Sequence, residues 1–328
     1  MKYYICKLRF LTPLHVGSGE NAKSLDGGMM SVCADTFFSA LCCTAATNAG
    51  ESYVSEIREL AENGSLALSD MMPYHGEELF VPRPAAMPKV FKETKMTPDR
   101  KAMKNLAFIP LADLPDFFSY IEGTGEFFPL EVFSDFGVSD AVEKVSIKGL
   151  EASNPYSVGV FSFNEGCGLY FIAACASEDV FDRLQRLTVL LGSGGIGGKV
   201  SSGYGKFTLA EDPYMFDETT DEPDFQTRLL QRMLTEDAPS YMSLTTSLPR
   251  DDELDRAMDG CSYSIRRRGG FIQSATFGDT AKKDTQYFFA AGSVFRKKYV
   301  GDIFSVAHGG SHPVYRYSRP IFLGVEYR

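Results

Sequence analysis

The chain opens on an alternation. Tyr4, Cys6, Leu8 and Phe10 share one side of an extended segment, with Lys7 and Arg9 opposite, which predicts a half-buried strand ending at Pro13. In "DTFFSALCCTAATNAG", Phe38, Leu41, Cys42 and Ala45 recur at i, i+3, i+4 and i+7, and Gly50 stops the run. That spacing predicts a helix, with Asp35 as its N-cap rather than a catalytic acid. From 73 to 160 the pattern loosens. "VPRPAAMPKVF" is proline-rich and "KETKMTPDRKAMKN" polar, as in an insertion that projects from a core instead of forming a packed layer. "YSVGVFSF" and "GLYFIAAC" then read as two strands of a hairpin turned at "NEGCG".

A second helix is written in "SEDVFDRLQRLTVLL". Ser177 caps it, Glu178 and Asp179 occupy its first turn, and Val180, Leu184, Leu187 and Leu191 form its apolar stripe. The stretch "LLGSGGIGGKVSSGYGKF" follows, and "YGKFTLA" leaves it as a strand. Residues 213–240 form a junction: an acidic tract, then a short amphipathic helix with Phe225, Leu229, Leu230 and Met233. Residues 241–328 alternate short β-like runs ("CSYSIR", "GFIQSATF", "QYFFAAGSVF", "IFLGVEY") with turn residues. The expected architecture is α+β in two modules, 1–212 and 241–328, the second mostly β.

The glycine stretch carries the most unusual chemistry. Gly192, Gly194 and Gly197 spell G-x-G-x-x-G. A dinucleotide site, however, needs a strand before the glycines and a helix after them, so that the helix N-terminus faces the pyrophosphate. Here a helix runs in and a strand runs out, and a helix C-terminus carries the wrong partial charge. A phosphate loop of the Walker type fails as well, because Val200 stands where its hydroxyl is required. What remains is a loop with free backbone N–H groups, donors at Lys199, Ser201 and Ser202, and a stacking ring at Tyr204. Those features suit a polynucleotide backbone; they equally suit an elaborate helix-to-strand turn.

Composition narrows the classes. The 328 residues are 44% apolar and carry a net charge of −10, which supports a sizeable core and argues against a uniformly basic nucleic-acid binder. The charge is segregated: seven basic residues stand between Arg83 and Lys104, and eight between Arg266 and Lys298, each against two acids. Local phosphate binding on an acidic protein is therefore open, as is an ordinary solvated face. Seven cysteines without a C-x-x-C pair fit buried free thiols. Only His308 and His312 approach metal-ligand spacing, so no metal or cofactor is expected. No run of about 18 apolar residues exists, and Lys2, Lys7 and Arg9 interrupt any signal-peptide core. The expectation is a cytoplasmic protein with no membrane partner.

At "GGIGGKVSSGYGKF" the sequence resembles a family. A glycine-rich loop between the last helix and last strand of a ferredoxin-like (RRM-like) module resembles the signature of the RAMP superfamily of CRISPR proteins. The loop is similar to that of the Cas-five-like subunit of type III-A (Csm) effector complexes, the Csm subunit numbered four. "TPLHVGSG", "ADTFFSAL", "FVPRPAAMPK", "YSIRRRGGFI", "YFFAAGSVF" and "GSHPVYRYSRPIFLGV" extend the likeness along most of the chain.

The resemblance implies two ferredoxin-like RAMP modules, the first bearing a basic thumb insertion at about 80–150 and the glycine-rich loop at 192–205. It implies a non-catalytic subunit in antiviral defence that grips the 5′ tag of the CRISPR RNA and caps the base of the complex. The implied partners are the large palm-domain subunit, the adjacent backbone RAMP subunit and, through the complex, target RNA. Target cleavage would belong to the backbone subunit and not to Asp35. Carried onto this sequence, the RNA-binding residues are Gly194, Gly195, Gly197, Gly198, Lys199, Ser201, Ser202, Gly203, Tyr204 and Gly205 in the loop. His15 and Gly17 would border the same groove. Arg266, Arg267, Arg268, His312 and Arg316 would join from the C-terminal module, and Arg83 and Lys89 from the thumb. Two rivals stand beside this reading. One is a RAMP endoribonuclease that processes CRISPR precursor RNA with a histidine such as His15; the other is a non-RNA interaction protein whose loop is only a turn.

Overall fold

A computed structural model describes residues 1–17, 28–86, 103, 105–125, 128, 132–146, 154–215, 224–274, 277, 281–307 and 310–328. In the first part of the chain the strands are β1 (Lys2–Phe10), β2 (Leu66–Leu68), β3 (Met72–His75), β4 (Glu78–Pro82) and β5 (Phe108–Pro110). They are followed by β6 (Gly137–Ser146), β7 (Asn154–Phe163), β8 (Cys167–Cys175), β9 (Phe207–Leu209) and β10 (Tyr214–Met215). The helices are α1 (Ala34–Ala49), α2 (Glu51–Glu62), α3 (Leu114–Glu122), α4 (Glu178–Gly194), α5 (Phe225–Thr235) and α6 (Asp251–Met258). The last part adds β11 (Ser240–Ser243), β12 (Ile265–Arg268), β13 (Gln286–Phe289), β14 (Val294–Phe295), β15 (Asp302–Ser305), β16 (Tyr315–Ser318) and β17 (Phe322–Val325).

An antiparallel sheet in the order β10-β1-β8-β3-β4-β5 is the centre, with β9 also on β1 and β2 also on β8. All nine residues of β8 are buried, as an uninterrupted apolar run requires when both faces are covered. On one face Tyr4, Cys6, Leu8, Leu169 and Phe171 meet Phe37, Phe38 and Leu41 of α1 and Leu184, Leu187 and Leu191 of α4. On the other, Ile5, Tyr170 and Ile172 meet Phe117 and Phe118 of α3, Leu229 and Leu230 of α5, and Met242, Leu323 and Val325. Two-sided burial corrects the half-buried reading of β1. Lys7 is only 7% exposed and survives there by pairing with Glu77 at 2.6 Å and Glu211 at 3.0 Å.

The second layer corrects the expectation of an unpacked insertion for the described residues between 73 and 160. β3, β4 and β5 belong to the central sheet, and Leu106, Ile109, Leu111, Leu114, Phe117, Phe118 and Ile121 are core residues. The predicted hairpin is also corrected. Both strands exist, but β8 gives one edge to β1 and the other to β2 and β3, leaving none for β7. β7 instead pairs with β6 in full register, from Gly137 opposite Phe163 to Ser146 opposite Asn154.

α1 and α4 form where the apolar spacing placed them. Ser177 caps α4 by accepting from the Val180 N–H at 3.4 Å. Asp35, by contrast, is not a cap: it lies in the first turn of α1, behind an N-cap at Cys33. The Asp70 carboxylate takes over that task across the fold, accepting from the Ala34 N–H at 2.8 Å. Phe225 departs from the predicted stripe of α5 and is 60% exposed. The C-terminal residues share both main cores: Tyr317 and Ile303 enter the first, and Val294, Ile321 and Leu323 the second. Among the described residues no helix is long and apolar enough to cross a membrane.

Candidate nucleic-acid interface

The glycine loop is built onto the end of β1. α4 is capped at its C-terminus by Gly195, whose N–H bonds the Leu191 carbonyl at 2.7 Å. From there the loop stacks on residues 13–15: the Gly205 N–H donates to the Pro13 carbonyl and the Gly198 N–H to the His15 carbonyl, each at 2.8 Å. A Cβ on Gly197 would meet the His15 oxygen at 2.4 Å, and one on Gly205 the Ile196 oxygen at 2.0 Å, both at positive φ. These two glycines are therefore demanded by close backbone approach. On its far side the segment 13–15 is tied to β7, through reciprocal N–H···O bonds between Leu14 and Phe161 at 2.8 Å.

His15 is the wedge of this stack. It is 5% exposed, and its Nδ1–H donates to the Gly159 carbonyl at 2.6 Å. A Cβ on Gly198 would meet its Cδ2 at 2.7 Å. The imidazole thus props the loop from beneath, while Gly17 is exposed at the rim.

The outer side of the loop faces the β6–β7 hairpin. Lys199 holds φ 60°, the one positive φ outside glycine among the described residues. Its Nζ lies 4.7 Å from the centre of the Tyr156 ring, and Lys144 lies 4.3 Å from that of Tyr204. Lys144 and Tyr156 are themselves cross-strand partners. Two cation–π contacts, each worth about 0.5–1 kcal/mol at such partly exposed sites, join loop and hairpin. Ser201 and Ser202 are exposed, and Gly194 and Gly203 have open space where a side chain would stand.

The inner side opens into a cavity of about 410 Å³. Gly17, Gly197 and Gly198 line one wall. Arg267, Arg268, Lys282, Lys283 and Arg316 come from the C-terminal part, and Asp35 is the acid among them. The three arginines of β12 have different surroundings. Arg266 turns inward with its Nη1 3.1 Å from the Cys33 sulfur. Arg268 is buried and forks onto Asp35, at 2.9 Å and 2.6 Å. Arg267 lies between them in sequence and lines the cavity. Arg316 is 2% exposed; its Nη1 donates to the Asp284 carbonyl and Gln286 side chain, and its Nε stands 3.7 Å from Asp35.

The electrostatics follow from this crowding. Burial works against ionisation of Asp35, but Arg268, Arg316 and Lys283 outweigh it and hold the carboxyl below its ordinary value of 3.8. Burial lowers the proton affinity of Lys283, with Asp35 resisting.

Other expected site residues lie apart from this cavity. Arg83 bonds the Leu106 carbonyl at 3.0 Å and the Pro84 carbonyl at 2.8 Å. His312 bonds Ser274 at 2.7 Å and packs edge-on against Phe277. Lys89 and His308 lie outside the described residues, and no metal-binding cluster is found among those described. Sequence reasoning left Lys282, Lys283, Lys144 and Tyr156 out of the site. The first two were visible only as members of the basic tract between 266 and 298.

Residues 236–325 match the family described as the CRISPR Csm4 C-terminal domain. The chain is 36% identical over 304 residues to "CRISPR system Cms protein Csm4" of Mycobacterium tuberculosis (strain CDC 1551 / Oshkosh), covering 92% of both chains. It is 30% identical over 322 residues to the protein of the same name from Streptococcus thermophilus, covering 95% of each. The fold is shared with a chain of the Csm3-Csm4 subcomplex in the type III-A CRISPR-Cas interference complex, at TM-score 0.63 and 15% identity over 99% of this chain and 100% of that one. It is shared also with a chain of the Csm1-Csm4 cassette in complex with pppApA, at TM-score 0.59 and 18% identity over 100% and 99% of the two chains. The chain belongs to the Csm4 family of type III-A CRISPR proteins.

Proposed function

We propose that this chain is the non-catalytic RNA-binding subunit of a type III-A interference complex, gripping the 5′ tag of the CRISPR RNA at the glycine loop. The observation that carries the reading is the cavity itself. Five cations and one carboxylate line a space whose opposite wall is glycine backbone. The glycines permit close backbone approach on that wall, and charge is in positive excess, as a phosphate backbone requires. In this reading Lys199, Ser201, Ser202 and Tyr204 serve the outer path of the RNA, and Lys89 belongs to a thumb, with Arg83 bracing its base against the Leu106 and Pro84 carbonyls. The chain forms two ferredoxin-like modules, 1–212 and 241–328, joined through 213–240. It caps the complex base, docks the large palm-domain subunit and abuts the backbone RAMP subunit. Support for these partners comes from the Csm1-Csm4 and Csm3-Csm4 assemblies whose fold it shares.

The burial of His15 and its engagement with Gly159 support the non-catalytic reading over an endoribonuclease. The test is purification through a tag on this chain from cells expressing the full locus. Small RNAs sharing one 5′ sequence, recovered with the palm-domain subunit, are the expected result. Metal-independent cleavage of repeat RNA that His15→Ala abolishes would overturn it.

A further inference from the structure

Arg316 makes two good hydrogen bonds and one loose ion pair, yet its Nη2 is buried with no acceptor among the described residues. A buried, unpaired guanidinium nitrogen costs folding free energy and marks a locally crowded positive charge. The charge around it is unbalanced in the same sense. Asp35 is shared by Arg268, which takes both its oxygens, by Arg316 and by Lys283. Asp284 and Asp70 act on Arg316 and Arg268 from outside the cavity lining, so positive charge is in excess on the cavity wall itself. Lys283 is held by Ser39 Oγ at 3.0 Å, a neutral partner. The volume of about 410 Å³ lies within the range of about 300–1,000 Å³ typical of small-ligand sites.

We propose that this cavity seats one phosphodiester group of the bound RNA, gripped by Lys283 Nζ, with Arg316, Arg268 and Asp35 as the charged backing that positions it. This deepens the RNA-binding reading and rests on it. The glycine loop offers the backbone an exposed path; the cavity offers one phosphate a buried seat, which fixes register without reading sequence. Charge-assisted bonds to a group held in a protein interior are stronger than those at a surface, so this phosphate contributes more than its neighbours.

The test uses the full chain, with inorganic phosphate and a tag-containing RNA as separate probes. Lys283→Met keeps the stem and removes the charge, and Arg316→Lys keeps one charge while losing the fork. Millimolar phosphate is expected to raise the melting temperature of the unsubstituted protein and to leave that of Lys283→Met unmoved. In the complex purified through this chain, RNA affinity of either variant should fall about ten-fold and its salt slope by about one. Equal stabilisation by phosphate of the unsubstituted protein and Lys283→Met, or of neither, sinks the proposal. Lys283-dependent phosphate binding with unchanged RNA affinity and slope also overturns it, since the site is then one for a free anion, while the tag reading stands. If phosphate binding depends on Lys283 and no RNA is bound at all, both readings fail.

Discussion

Lys199 reaches across from the glycine loop to stand 4.7 Å above the ring of Tyr156, on a strand of the hairpin. It does so from a left-handed backbone conformation, φ 60°, which costs a side chain-bearing residue about 1–2 kcal/mol. Glycine would fit that conformation better, so the lysine holds its place against a conformational penalty. Lys199→Gly is therefore expected to leave stability unchanged or raise it by under about 1 kcal/mol. RNA retention in high salt should nonetheless fall. Equal retention by both proteins in a salt titration would reduce Lys199 to a loop-to-hairpin strut.

The loop glycines are not equivalent. Gly205→Ala would drive a Cβ to 2.0 Å from the Ile196 oxygen, and Gly197→Ala to 2.4 Å from that of His15. Each should destabilise by about 1–3 kcal/mol. Gly203→Ala also carries a positive φ, 87°, but meets nothing within 4 Å, so its cost should stay near about 1 kcal/mol. Denaturant melts of the three variants check the order.

Asp35 and Arg268 form a buried bidentate pair, and without Arg268 the carboxylate keeps as cations only the looser Arg316 at 3.7 Å and the more distant Lys283. Arg268→Ala should cost about 3–5 kcal/mol, and a double-mutant cycle with Asp35→Asn should show strong coupling. The pH dependence has a definite sign. The Asp35 carboxyl titrates lower in the folded chain than its ordinary 3.8, so its contribution is fully present above that value and lost as pH falls through the lower folded-state one. Arg268→Ala should flatten this acid limb of the stability profile.

Asp70 ties the two halves of the chain. Its carboxylate accepts from the N–H groups of Ala34 and Thr246 at 2.8 Å and 2.9 Å, and from the Thr246 hydroxyl at 2.6 Å. Asp70→Ala leaves buried donors without acceptors, at about 1–3 kcal/mol for each. Melting should show a large loss of stability, and Asp70→Asn, which keeps acceptor oxygen, a smaller one.

Local patterns were enough for α1 and α4, for the existence of β7 and β8, and for the order helix, glycine loop, strand. Each of these depends on periodicity or capping within one segment, as with Val180, Leu184, Leu187 and Leu191. The pairing of β7 was not legible, because which strand takes which edge of β8 is settled by competition among distant segments. α3 was missed for a related reason: its apolar residues follow a proline-rich, polar stretch and are explained only by the second sheet face they cover.

The site divides in the same way. The glycine cluster marked itself in the sequence, since so many positions without side chains in one stretch signal close backbone approach, and the resemblance attached RNA to it. The sequence also separated the basic tract at 266–298 from the loop by more than sixty positions. Only the tertiary structure brought Lys283, Arg268 and Arg316 opposite Gly197 and Gly198 and set them around Asp35. It also left Arg316 Nη2 without an acceptor among the described residues. A helix or a loop is a property of neighbouring residues, but a balance of buried charge is a property of the whole packed chain.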